Sequence, residues 1–176
     1  MKRKAVPHPK IQISAKQNFR AFAVQSIGPA RSDAWGALVE KIINQFCPRF
    51  APGGTLLYVE GADGGRAYCD MDYLRSLGVA VEKQKVLPNV VVHYTRRNWL
   101  FLIEAITRHR AVNTNRVTEL RALFGRTKVG LVFVTVLFNR RTLSRHLEDV
   151  AWGTNVWAAD APDHMIHFNG DRFSRP

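Results

Sequence analysis

Glu104 closes the run Trp99-Leu100-Phe101-Leu102-Ile103, which is otherwise of buried character. An ionised carboxylate at the end of such a run is costly unless it is paired or binds a cation. Residues 87–107 read as two apolar strands joined by a short polar turn at Thr95 to Asn98. If a two-residue loop centres on Arg96 and Arg97, Asn89 lies opposite Glu104, Val91 opposite Leu102 and His93 opposite Leu100. Two polar side chains then meet on one face at the open end of the hairpin. Residues 96–128 hold eight basic residues (Arg96, Arg97, Arg108, Arg110, Arg116, Arg121, Arg126, Lys128) against Glu104 and Glu119. A positive field around one carboxylate suits a polyphosphate substrate. The plainer alternative is an α/β domain in which Glu104 forms a salt bridge with Arg108 or Arg116.

The rest of the chain supplies elements to hold that hairpin. Ser32 offers an N-cap to a helix in which Trp35, Leu38, Val39, Ile42, Ile43 and Phe46 recur at helical spacing, with Pro48 as the expected stop. Glu40 lies off this stripe and reads as solvated. Thr55 to Glu60 and Arg66 to Asp70 flank a glycine-rich turn and read as a hairpin. A phosphate-cradling role for that turn is disfavoured, because no helix follows in P-loop spacing. Asp70 or Asp72 caps a short helix, Met71 to Leu77, that ends at Gly78. Asn113 or Thr114 caps a helix with Val117, Leu120, Leu123 and Phe124 on its apolar side, closed by Gly125. Val129 to Phe138 is apolar throughout, as expected of a central strand covered on both faces. Asn139 caps a further helix carrying Leu143, His146, Leu147 and Val150 on one side, so His146 reads as packed. Two short strands, Asn155 to Ala159 and His164 to Phe168, close the chain. A single α/β domain with a mixed sheet flanked by helices on both faces follows.

Size and charge bound the function. With 176 residues and 46% hydrophobic content, the chain suits one well-cored domain rather than two. No apolar run reaches the roughly 18–20 residues of a membrane span. Cys47 and Cys69 lack the paired spacing of a zinc site, and the reading is of a reducing, intracellular setting, cytoplasmic or nucleoid-associated. The formal net charge is +12, and residues 1–31 hold seven basic residues and no acid. This start reads as a basic nucleic-acid-binding arm, with the folded domain over 32–176. An organelle transit peptide would look similar, but Pro7 and Pro9 break the helix it prefers.

Several segments resemble a known family. Gly54 to Val59, Leu74 to Val79, Leu87-Pro88-Asn89-Val90-Val91, Asn98 to Ala105 and Asp149-Val150-Ala151-Trp152 look like the C-terminal catalytic domain of the BsuBI/PstI-type restriction endonucleases. The run Val156 to Gly170 is the most specific match, and the resemblance covers about residues 33–176. It implies the PD-(D/E)xK nuclease fold, Mg²⁺ dependence and hydrolysis of double-stranded DNA. Such chemistry needs a cation to polarise the phosphate and activate water, and two acids on adjacent strands can hold it.

The resemblance assigns the site residue by residue. The first acid of the family's Pro-Asp pair falls at Asn89, and Glu104 is the second metal ligand. The family's Lys-Arg pair at the start of the following helix falls at Asn115 and Arg116. Arg116 supplies charge but does not readily act as a base. Arg96, Arg97, Arg108, Arg110, Asn113 and Lys128 are the expected DNA contacts. Family members also carry an N-terminal region that helps recognise DNA, where this sequence has a basic arm. The leading expectation is a Mg²⁺-dependent type II restriction-type endonuclease, acting as a homodimer if it cuts a palindrome. Asn89 and Asn115 support the alternative, a degenerate nuclease-fold protein that binds DNA, or RNA within a ribonucleoprotein.

Overall fold

The computed structural model describes residues 34–61, 64–79, 87–106 and 111–169. Seven strands form one mixed sheet: β1 (Thr55–Glu60), β2 (Arg66–Cys69), β3 (Val90–Tyr94), β4 (Trp99–Ala105), β5 (Gly130–Leu137), β6 (Asn155–Ala158) and β7 (Ile166–His167), in the spatial order β2-β1-β3-β4-β5-β6-β7. The hairpin β3–β4 occupies the middle, antiparallel within itself. β4 and β5 run parallel, as do β5 and β6. The parallel strands are buried on both faces, which is why their sequences are apolar without alternation.

Helices cover both faces. On one, α1 (Ala34–Lys41) and the turns that follow it pack Leu38, Ile42 and Phe46 against Val90, Phe101, Val134 and Trp157. Phe46 meets Phe101 and Trp157 edge to face, with ring centroids 5.7 and 5.6 Å apart. On the other, α2 (Met71–Ser76) and α3 (Thr114–Phe124) bring Leu74, Leu120, Leu123 and Phe124 onto Tyr58, Val91, Leu102 and Phe133. Each such buried side chain contributes roughly 1.5–3 kcal/mol, enough to fix which face every strand presents. Asp70 caps α2 by accepting from Tyr73 N at 3.0 Å, and Gly78, at φ +83, ends the segment in the left-handed conformation that glycine allows.

Three local expectations are corrected. Pro48 does not stop the first helix: the chain passes through a π-helical turn, Ile42–Phe46, into a last α-helical turn, Cys47–Phe50. Proline is tolerated there because it falls in the first turn of the new segment, where its missing N–H costs little. The hairpin loop holds four residues rather than two, a 3₁₀ turn over Thr95–Arg97 followed by Asn98 at φ 53, although the register is the expected one. The helix after Asn139 stops as α4 (Arg140–Leu143), and a separate 3₁₀ turn covers Leu147–Asp149. His146 leaves the helical conformation at φ −120, so Leu147 is 52% exposed instead of packed.

His93 on β3 is buried on the α2 side and shares a 3.1 Å hydrogen bond between its Nδ1 and the Tyr73 hydroxyl. Burial lowers its pKa, and the Asn98 side chain opposes this only in part. Below the ordinary histidine value of about 6.5 the unfolded chain therefore binds a proton that the folded chain resists, and stability falls with pH. Thermal unfolding across acidic pH is expected to show this loss, at most about 1.4 kcal/mol per pH unit for one group, and His93→Leu should flatten that slope.

Candidate active site

Four neighbouring strands place polar residues on one rung. Val91 pairs with Leu102 and Val90 with Ile103, so the next rung sets Asn89 opposite Glu104. On the other side β1 pairs Val59 with Val90, and Glu60 N donates to Asn89 O at 2.8 Å. Glu104 in turn pairs with Thr135 on β5. Cross-strand neighbours share a face. The row is thus Glu60, Asn89, Glu104 and Thr135, on the same face as Val91 and Leu102, at the end of the sheet where β4 and β5 finish.

The row is almost closed to water: Glu60 is 8% exposed, Asn89 2%, Glu104 5% and Thr135 0%. Each member must therefore find a partner within the protein. Asn89 Oδ1 accepts from Ala105 N at 2.7 Å. Asn89 Nδ2 donates to Glu60 Oε2. Glu104 Oε1 lies 2.7 Å from both Nε and Nη2 of Arg116. Thr135 Oγ1 accepts from Val112 N at 3.0 Å and so anchors the segment that leads into α3.

α3 starts where it does because Asn113 caps it, accepting from Arg116 N at 2.8 Å. That cap aims Arg116, three residues on, back over the row. Its guanidinium also donates to Glu119 at 3.0 Å and to the Leu87 carbonyl at 3.3 Å. Burial opposes its charge, but Glu104 and Glu119 more than offset this and raise its pKa above the usual value. Arg116 is a fixed cation here and not a proton acceptor.

Asn89, Glu104 and Arg116 are brought together as the sequence suggested, and the salt bridge between Glu104 and Arg116 is the one the plainer reading foresaw. Asn113 sits beside them with its side-chain oxygen committed to the cap. Asn115 is exposed in the first turn of α3. Arg96 and Arg97 are exposed on the hairpin turn, about 20 Å from the row at six residues of extended strand. Lys128 lies at that same far end, where Asn98 Nδ2 donates to its carbonyl at 3.4 Å and Gly130 pairs with Trp99. The Arg97 guanidinium lies 5.0 Å from the centre of the Trp99 ring. Among the described residues, Arg116 is the basic residue bonded to Glu104, while Arg96, Arg97 and Lys128 form a separate group at the turn. Arg108 and Arg110 lie outside the described residues, as does the basic segment 1–31. Glu40, expected to be solvated, is exposed.

Glu60 was missed. Its signal was the one that singled out Glu104, a carboxylate ending an apolar strand, here Thr55-Leu56-Leu57-Tyr58-Val59.

A polar row on adjacent strands at the end of a mixed α/β sheet is an arrangement suited to phosphodiester chemistry. A family model described as the BsuBI/PstI restriction endonuclease domain matches residues 30–171, and the chain belongs to that family. It is 42% identical over 139 residues to the type II restriction enzyme BsuBI of Bacillus subtilis, covering 79% of this chain and 44% of that enzyme. With the type II restriction enzyme AplI of Arthrospira platensis it shares 31% identity over 144 residues, 78% of this chain and 44% of the relative. The solved structure of SdaI restriction endonuclease superposes with a TM-score of 0.74 at 36% identity, covering 82% of this chain and 46% of that one. The fold is that of the restriction endonucleases. The chain spans less than half the length of each of these relatives.

The resemblance implies Mg²⁺, a hard cation that takes oxygen ligands. The carboxylates of Glu60 and Glu104 suit it. The Asn89 amide does not, because its oxygen is held by Ala105 N–H and its NH₂ group faces Glu60. Among the described residues, no group of three or more His, Cys, Asp or Glu is placed to hold a metal ion.

Truncating Arg116 would remove a counter-charge from the buried Glu104. Breaking such a pair from one side costs about 3–5 kcal/mol when it is fully buried. Arg116 keeps a side-chain exposure of 19%, so Arg116→Ala is expected to cost about 2–3 kcal/mol in denaturant unfolding. Adding Glu104→Gln should recover most of that loss, and an additive double variant would contradict the pairing.

Proposed function

We propose that this chain is a restriction-type endonuclease domain that acts on double-stranded DNA, with the row Glu60, Asn89 and Glu104 as the place where the phosphodiester is attacked. The observation that carries this is the coincidence of two buried carboxylates, on β1 and β4 to either side of β3, with one fixed guanidinium from α3, in a chain of the restriction endonuclease family. Glu60 and Glu104 would hold Mg²⁺, which when bound supplies polarisation of the phosphate and activation of a water. Arg116 faces the same end of the sheet and stabilises negative charge as it builds on the phosphate oxygens. Asn115, in the first turn of α3, stands beside it. The net charge of +12 draws the domain to the duplex, and Arg96, Arg97 and Lys128 form a second set of phosphate contacts. Arg108, Arg110 and the basic segment 1–31 add to that attraction. A palindromic target would be cut by two copies related by a two-fold axis. No helix of the described residues is long and apolar enough to cross a membrane.

Asn89 favours a second reading, binding without cutting. A neutral side chain removes one negative charge from a hard-cation site and lowers its affinity for Mg²⁺. An RNA or ribonucleoprotein target fits the charge equally well, but the family favours duplex DNA.

Plasmid cleavage in Mg²⁺ by the native chain, Asn89→Asp and Asn89→Asp/Asn115→Lys tests both readings, alongside salt-dependent binding to a duplex. Slow cutting by the native chain is expected, with at least about a hundredfold gain on restoring the acid, the size of effect seen when a catalytic group is lost elsewhere. Salt-sensitive binding with no cutting by any of the three proteins would leave the second reading standing.

A further inference from the structure

We infer that the short helix α4 (Arg140–Leu143) and the turn after it grip the DNA backbone beside the row, with Arg140, Arg141 and Arg145 on phosphates that flank the one attacked. The inference rests on reading the row as the place where a duplex is attacked, and it concerns where that duplex lies.

The topology puts α4 at the row's end of the sheet. β4, β5 and β6 run parallel, so their carboxyl ends lie together. Glu104 and Thr135 stand near those ends, β5 finishes at Leu137, and Asn139 caps α4 directly afterwards. In open α/β sheets the carboxyl ends of parallel strands are where ligands bind. The face is also the same. Thr135 and Leu137 are two apart in one strand and share a side of the sheet. Leu143 of α4 is buried with Leu137, Val156 and Ala158, so α4 rests on that side. Its anchor on β5 is about 7 Å beyond the row, two residues of extended strand. The turn that carries Arg96 and Arg97 is at the opposite end of the same sheet.

The outer side of α4 is cationic. While Leu143 turns inward, Arg140, Arg141 and Arg145 are exposed. A duplex carries one negative charge per roughly 1.7 Å of its axis, so a phosphate held at Arg116 brings others within reach of these side chains. Asp160, just past the end of β6, accepts from both N and Nε of Arg140 at 3.3 Å. That contact steadies the first arginine. The two side chains are 66% and 35% exposed, so the pair is weak and a phosphate can compete for the guanidinium. The same carboxylate repels an approaching duplex, which sets a test with opposite signs on the two partners.

Binding of the full chain to a duplex, measured in EDTA over a range of salt, reads this without cleavage. Arg140→Ala/Arg141→Ala is expected to reduce the slope of log affinity against log salt by about 2 and to weaken binding at least about tenfold at about 0.1 M salt. Asp160→Asn keeps an oxygen for Arg140 N–H, removes the repulsion, and should tighten binding about threefold. Asp72→Asn and Arg75→Ala make the same single-charge changes on α2, whose following Gly78 lies against the Arg126 carbonyl at the far end of the sheet. These should alter affinity less than about twofold, because the charges are more than a screening length from the duplex. If Arg140→Ala/Arg141→Ala does not fold, as judged by circular dichroism, Arg141→Glu/Arg145→Glu replaces it, leaving the pair with Asp160 intact and weakening binding further. A native slope in the α4 variants, or changes no larger than those on α2, overturns the inference while leaving the reading of the row in place. A native chain that binds no duplex at any salt overturns both.

Discussion

The cost of burying Glu60 and Glu104 inside a sheet governs this structure. A carboxylate removed from water must be neutralised or richly hydrogen-bonded, and each of these two meets a side chain that does so. Asn89 answers Glu60, and Arg116 answers Glu104. Much of the surrounding architecture serves those two contacts. The parallel pairing of β4 with β5 sets Glu104 beside Thr135, Thr135 anchors Val112, and the Asn113 cap starts α3 in the phase that returns Arg116 to the row. The packing of α3 through Leu120, Leu123 and Phe124 then holds that phase.

The same constraint explains how the site can belong to a nuclease family and still be self-contained. In a hydrolytic centre, unsatisfied acid is what gives a cation its place. Here the acid is satisfied by a neutral amide on one side and a guanidinium on the other. Mg²⁺ would have to compete with both contacts before it could serve the phosphate. Family membership and residue identity thus point to different resting states of one row, and the difference lies in a single side chain.

Much of this was legible in the sequence. The register that faces Asn89 toward Glu104 follows from centring the turn on Arg96 and Arg97, and packing on both faces enforces it, because a slip of one residue would move Leu102 and Val91 to the opposite face. The Asn139 cap was readable from residue type and position, and the caps at Asp70 and Asn113 were each one of two candidates between which the structure decides. Glu60 was hidden because the order of strands in space, β1 beside β3, is not written in either strand; only the spatial pairing makes the end of the first hairpin part of the row. The spread of the arginines was hidden for a related reason. Arg96 and Arg97 are close to Glu104 in sequence, yet a strand carries them to the opposite end of the sheet. Pro48 misled because its effect depends on whether the helix restarts at that point, which the preceding π-helical turn decides.

The most direct measurement is the NMR signal of the Asn89 side-chain NH₂ group, followed by hydrogen exchange in the absence of a divalent cation. Buried and donating to Glu60, this pair of protons is expected to exchange slowly. Rapid exchange would show that the row is held by something other than the amide and would contradict the account.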